Sequence, residues 1–281
     1  MQALADSALR VPKIVFFHAE RDIVGTPFFV MDRVPGRVFP RCDLPGMAPE
    51  ERRAIYLAMA QTMATLHQVD WQQAGLADYG RQGGYFSRQI ARWSSQWEKS
   101  RTRENADIEA LRAWLPAHLP AAVSADDSET TIAHGDFRLG NLMFHPTEPR
   151  VVAVLDWELS TLGHPLADAA FNCMAWRTLP SEYGGLRGLD LAALGIPSED
   201  EYLRHYYRAS GRRDGVTAFH FAFALFRMAV IFEGIAARAA AGNAASADAS
   251  EVGALTAAFA RRAMEFVRGQ AQVTSFEALA S

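Results

Sequence analysis

Two short apolar runs near the middle of the chain constrain it most: Leu142-Met143-Phe144 and Val151 to Leu155, VVAVL. A turn from Pro146 to Pro149 separates them. Apolar runs of this length around a proline turn read as the two buried strands of a hairpin. Polar residues sit at the outer ends. The segment from His134 to Asn141, HGDFRLGN, leads into the first strand, and Asp156 follows the second. Strand ends let polar side chains converge on a ligand while the strands hold them rigid. A hairpin brings its flanks together, so Asp136, Asn141 and Asp156 are expected to face one cavity.

That trio has a chemistry. An Asp and an Asn at this spacing, then an Asp after a buried strand, is a kinase-like arrangement. Phosphoryl transfer spreads charge over the phosphoryl oxygens, which a divalent cation neutralises. Magnesium prefers carboxylate and carbonyl oxygens, as Asn141 and Asp156 offer. Asp136 is suited to accept a hydroxyl proton. The competing reading for each is turn chemistry at strand ends. His134 is expected to be a packed histidine that holds the loop, and Asp168 a cap or loop anchor. Glu158 stands evenly between a water-mediated metal contact and a structural hydrogen bond. The Trp- and Arg-rich stretch around Trp93 and Trp97 is expected mainly to pack, although it is also placed to border an acceptor site.

Composition narrows the class. The chain has 281 residues, 49% hydrophobic and 21% charged, so one or two globular domains are expected rather than disorder. A net charge of −4 argues against nucleic acid as a partner. Two cysteines, Cys42 and Cys173, make neither a disulfide framework nor a zinc spacing. The N-terminal segment has no apolar signal core, and Arg227 interrupts the apolar run Ala218 to Phe232. The expectation is a cytoplasmic protein with no membrane association.

Along the chain, Lys13 to His18 and Phe28 to Val34 read as an antiparallel strand pair that something else should cover. From Pro49 the periodicity turns helical. Ile55, Met59, Met63 and Leu66 mark one helix through His67. Further helices are predicted over Tyr85 to Lys99, Ile108 to Leu115 (closed by Pro116 and Pro120), Leu166 to Trp176, Phe219 to Ile235 and Glu251 to Val267. Ser198-Glu199-Asp200-Glu201 has the form of a capping box opening a helix to Ala209. Loops are expected over Ala121 to Thr130 and Ala239 to Ser250, with a frayed tail past Gly269.

The motifs GTPFFVMDRVPGRVF, LPAHLP, HGDFRLGNLMFHP and AVLDWELSTLGHPLADAAFNCMAW, in this order, resemble the aminoglycoside phosphotransferase and choline kinase family. The resemblance is strongest to its subgroup associated with acyl-CoA dehydrogenases. It implies an α+β, protein-kinase-like fold: a remnant small β lobe over residues 1–36, and a large, mostly helical lobe over residues 37–281 that carries a catalytic β-hairpin. It implies an ATP- and Mg2+-dependent kinase acting on a small-molecule hydroxyl, with a hydroxyacyl-CoA as one acceptor. Asp136 takes the place of the catalytic aspartate, and Asn141 and Asp156 those of the magnesium ligands. Arg138 falls where protein kinases carry a lysine on the transferred phosphoryl group. The run Met31-Asp32-Arg33-Val34 matches the adenine hinge, read by the Asp32 carbonyl and the Val34 amide.

The chain departs from the family at its start. No Gly-rich loop precedes Gly25, and the only lysines are Lys13 and Lys99. The chain is therefore expected to begin inside the small lobe. An upstream start codon, a true truncation and a completing partner are the competing reasons, the first favoured. Slow phosphoryl transfer and self-association through the sheet edge are expected. The alternatives to a kinase are a non-catalytic binding or scaffold protein, and a metal-dependent hydrolase using His134, Asp136 and Asp156.

Overall fold

The structure is a computed structural model and describes residues 1–119, 129–241 and 249–273. Pro120, most of the loop expected over Ala121 to Thr130, most of that over Ala239 to Ser250, and the end of the tail lie outside the described residues.

Strand β1 (Ile14–His18) pairs antiparallel with β2 (Phe28–Met31), His18 opposite Phe28. The second strand is shorter than its apolar run, because Asp32 and Pro35-Gly36 turn the chain away. The ribbon was expected to be covered, yet Phe16, Phe17, Phe29, Val30 and Met31 are all exposed.

Helix α1 (Pro49–His67) opens with Pro49 in its first turn and Glu50 and Glu51 beside it, which suits the positive end of a helix. It buries Ile55, Met59, Met63 and Leu66, the face set by their spacing. Helix α2 (Tyr85–Ser100) buries Phe86, Ile90, Trp93 and Trp97. Helix α3 (Ala106–Ala117) is capped by the Asn105 side chain and continues through Pro116. The proline was expected to end it; the helix runs one residue beyond it, to Ala117.

Four short strands follow. Strands β3 (Thr131–Ala133) and β6 (Thr161–Gly163) pair antiparallel, as do β4 (Leu142–Phe144) and β5 (Val151–Val154). The second pair is the expected hairpin; β6 is only three residues long and carries too little pattern to predict. Helices α4 (Pro165–Arg177), α5 (Leu191–Leu194), α6 (Glu199–Ser210), α7 (Ala218–Ala240) and α8 (Ala249–Val267) complete the chain. Ser198 caps α6 by accepting from the Glu201 amide, but Glu201 turns to Arg53 rather than back to Ser198, so only half of the predicted box forms.

Helix α7 is apolar on all sides, as a helix at the centre of a core must be. It packs on α8, α4 and α2 and buries Phe221, Phe223, Phe226 and Phe232. At 23 residues it is long and apolar enough to cross a membrane, longer than the run that suggested otherwise, but it is mostly buried inside the protein. The result is an α+β molecule, mostly helical, with its hairpin set against the helical body.

Candidate active site

The hairpin is pinned from outside as well as by its own ladder. Arg37 exchanges two backbone hydrogen bonds with Phe144, both 2.8 Å, and the Val154 amide donates to the Arg10 carbonyl at 2.9 Å. A Cβ at Gly36 would lie 2.4 Å from Met143 Cγ, so the absence of a side chain lets the crossing segment lie against β4. That segment follows the Met31-Asp32-Arg33-Val34 run. Met31 ends β2 with its side chain exposed, the Asp32 amide donates to the Lys13 carbonyl at 2.9 Å, and Val34 is half-buried. No hydrogen bond among the described residues joins these three to the Asp136 cluster.

Asp136, Arg138 and Asn141 do come together. Asn141 Nδ2 donates to Asp136 Oδ2 at 2.7 Å and to the Asp136 carbonyl at 2.9 Å. Arg138 Nε donates to the same Oδ2 at 3.2 Å. Among the described residues Asp136 Oδ1 accepts nothing, so one carboxylate oxygen is held and the other is open. Asp156 is joined to this group through the backbone: the Leu155 amide donates to the Asn141 carbonyl at 2.9 Å. Its φ of 64° lies in the left-handed region, costing roughly 1–3 kcal/mol in a residue other than glycine. Its exposed carboxylate makes no hydrogen bond or ion pair among the described residues. Burial works against the Arg138 charge, but Asp136, Tyr183 and Asp156 together hold its pKa above the ordinary arginine value. The guanidinium thus feels both carboxylates.

The loop is oriented by residues further off. Asp168, fully buried on α4, accepts from the His134 amide at 2.6 Å and the Gly135 amide at 2.9 Å. His67 Nε2 lies 3.4 Å from the same carboxylate, and Tyr206 hydroxyl holds His67 Nδ1 at 2.8 Å. Burial opposes ionisation of Asp168, yet these donors keep its pKa below the usual carboxylate value. His67 is a buried part of this anchor, and burial pushes its own pKa down. Gly135 has φ 82°, and a Cβ there would lie 2.5 Å from the Leu159 carbonyl. Only glycine fits that turn.

His134 uses both ring nitrogens on backbone: Nε2 donates to the Leu155 carbonyl at 2.8 Å, and Nδ1 accepts from the Asp136 amide at 3.2 Å. It is fully buried and has no lone pair left for a metal, which removes the hydrolase arrangement. Glu158 is exposed and forms no salt bridge among the described residues. Sequence reasoning missed Arg227, which it took only as an interruption of an apolar run. Its Nη2 donates to the Gly135 carbonyl at 2.5 Å. An arginine in the middle of an apolar run was the available signal.

No group of three His, Cys, Asp or Glu side chains suited to a metal occurs among the described residues. Two oxygen ligands, the carboxamide Oδ1 of Asn141 and the carboxylate of Asp156, suit a cation that takes its remaining ligands from substrate phosphates and water. Asn141 fits this role because both hydrogen bonds its side chain makes among the described residues leave from Nδ2. A cavity of about 230 Å³ adjoins Arg138, with Phe171, Met174, Met228 and Phe259 in its wall.

A small ribbon, a pinned hairpin and an Asp–Asn loop above a helical body define a phosphotransferase of the kinase-like class. The model of the phosphotransferase enzyme family (APH) matches residues 1–218, and the chain belongs to that family. A Ralstonia eutropha JMP134 protein classed with the aminoglycoside phosphotransferases is 44% identical in its crystal structure, with a TM-score of 0.88 over 95% of this chain and 80% of that one. Acyl-CoA dehydrogenase family member 10 of Mus musculus is 42% identical over 270 residues, 95% of this chain. This chain spans a quarter to a third of the length of the first curated relatives it matches. An aminoglycoside phosphotransferase solved as a ternary complex with AMP-PNP and hygromycin B shares the fold, at 16% identity and a TM-score of 0.59 over 97% of this chain and 81% of that one.

Proposed function

We propose that the protein transfers the γ-phosphoryl group of ATP to a hydroxyl of a small molecule, with a hydroxyacyl-CoA as the leading acceptor. The observation that carries this is the division of labour on Asp136, with Oδ2 fixed by Asn141 and Arg138 and Oδ1 open. An oriented carboxylate with one open oxygen is what a hydroxyl nucleophile needs. Asp136 Oδ1 takes the hydroxyl proton as the acceptor oxygen bonds the terminal phosphorus and the bond to the nucleoside diphosphate breaks. Arg138 keeps its terminal nitrogens for the phosphoryl oxygens, a task suited to a planar guanidinium. Asn141 and Asp156 would hold Mg2+, which when bound offsets the charge of the phosphates. Asp168 and His67 keep the loop, and hence Asp136, in place. The backbone of Asp32 and Val34 is assigned to adenine. The fold relative's complex with AMP-PNP supports a nucleotide as donor.

The apolar cavity beside Arg138 supports an acceptor with a hydrocarbon part, and the likeness to a protein named for acyl-CoA dehydrogenation supports an acyl-CoA. The test is thermal shift of the purified chain with ATP, with and without Mg2+, followed by a transfer assay on a panel of hydroxyacyl-CoAs. Stabilisation that requires Mg2+, with phosphorylated product, is expected. Nucleotide binding without transfer to any hydroxyl would replace the kinase by a binding module, and no nucleotide-dependent shift would overturn both.

A further inference from the structure

A second cavity, of about 200 Å³, lies between α2, the segment after Asp156, and α7. Gln89, Arg92, Trp93, Glu158 and Arg227 line it. Arg227 is only 6% exposed, and its Nε is buried with no hydrogen-bond partner among the described residues. No carboxylate pairs with it among the described residues. Its guanidinium lies over the rings of Trp93 and Phe171, 5.4 Å from each centroid, and its one hydrogen bond among the described residues is to the Gly135 carbonyl. A buried guanidinium without an anion is costly unless a ligand supplies one. Arg92, exposed on α2, also stacks on Trp93, at 5.3 Å, and has no salt bridge among the described residues. Gln89 accepts from Trp93 Nε1 at 3.0 Å, which leaves its amide hydrogens free to donate. Two cations face one carboxylate, Glu158, so the cavity keeps a net positive charge.

From this we infer an anion subsite in which Arg227, Arg92 and Gln89 hold a carboxylate or phosphate group of the acceptor. It rests on the kinase reading for its purpose: Arg227 also holds the Gly135 carbonyl, so an anion bound there would be tied to the loop that carries Asp136. Planar guanidinium groups recognise both oxyanions by paired hydrogen bonds.

The test is calorimetric titration of the full chain, at low salt and without nucleotide, with two matched pairs of probes. The first pair is 3-hydroxybutyrate and its methyl ester; the second is coenzyme A and pantetheine. The charged member of at least one pair is expected to bind about tenfold more tightly, and Arg92→Ala to remove most of that margin. Discrimination in the first pair makes the anion a carboxylate, in the second a phosphate. Arg227→Met should abolish it, but this variant also loses the Gly135 contact, so the surface variant Arg92→Ala decides. Equal binding within both pairs, or an Arg92→Ala chain that discriminates as well as the parent, overturns the subsite. Because nucleotide is absent, that failure leaves the kinase reading standing. Discrimination in a chain that transfers no phosphate sinks the kinase reading alone.

Discussion

Asp136 receives two donors on one oxygen, and that asymmetry makes its role testable. Asp136→Asn keeps size and shape but puts a weak base where the proton must go. It is expected to lower kcat about 10²- to 10⁴-fold while leaving the KM for nucleotide within about threefold. Steady-state kinetics with the responsive acceptor checks this, and unchanged kcat would remove Asp136 as the base. At this scale the sequence was informative where polar residues stood at strand ends: Asp136, Arg138 and Asn141 meet, and Asp156 follows on the paired strand. It was silent on Asp168 with His67, and on Arg227 with Gly135. Those contacts join residues 101 and 92 positions apart, and nothing in local spacing announces a partner so distant.

The first turn of helix α7 carries a histidine that must stay neutral. His220 Nδ1 accepts from the Thr217 amide at 3.1 Å, a bond that the imidazolium cannot accept. Burial, then the nearby His164 and Arg212, push its pKa from 6.5 down to about 3, with Glu129 opposing weakly. The folded pKa lies below the unfolded one, so the unfolded chain binds the extra proton. This contribution is therefore complete above pH 6.5 and is lost as the pH falls towards 3. At pH 5 the loss is about 2 kcal/mol. His220→Gln should be somewhat less stable at pH 7, but its drop in stability between pH 7 and pH 5 should be smaller than the parent's by about that amount. Urea denaturation at the two pH values measures it; equal drops would show that His220 titrates normally. Most elements were legible because their apolar periodicity is long, as in α1 and α7. Strand β6 and the short α5 were not, since three or four residues hold too little of a repeat. The continuation of α3 through Pro116 shows that a proline marks where a helix weakens more reliably than where it stops.

For the whole molecule the unusual feature is the β1–β2 ribbon. Phe17 is 64% exposed and Phe29 49%, with Val15, Phe16, Val30 and Met31 beside them. A contiguous apolar ribbon with free strand edges invites pairing with another chain. The chain is expected to self-associate with rising concentration, and multi-angle light scattering over a hundredfold range, about 1 to 100 µM, checks it. A single monomer mass throughout would show that the ribbon is not adhesive. The broad architecture was legible from the ordered motifs that resemble the phosphotransferase family, but what lies over the ribbon was not. Alternation shows that a face is apolar without showing what it meets.

The two donors on Asp136 Oδ2 carry one more consequence. With that oxygen occupied, an alcohol can hand over its proton from a single side of the loop. The mirror-image forms of a chiral secondary alcohol, with the rest of the molecule seated alike, would aim their hydroxyls in different directions there. Handedness would then be chosen jointly by the carboxylate's tethering and by the contacts that seat the remainder of the substrate.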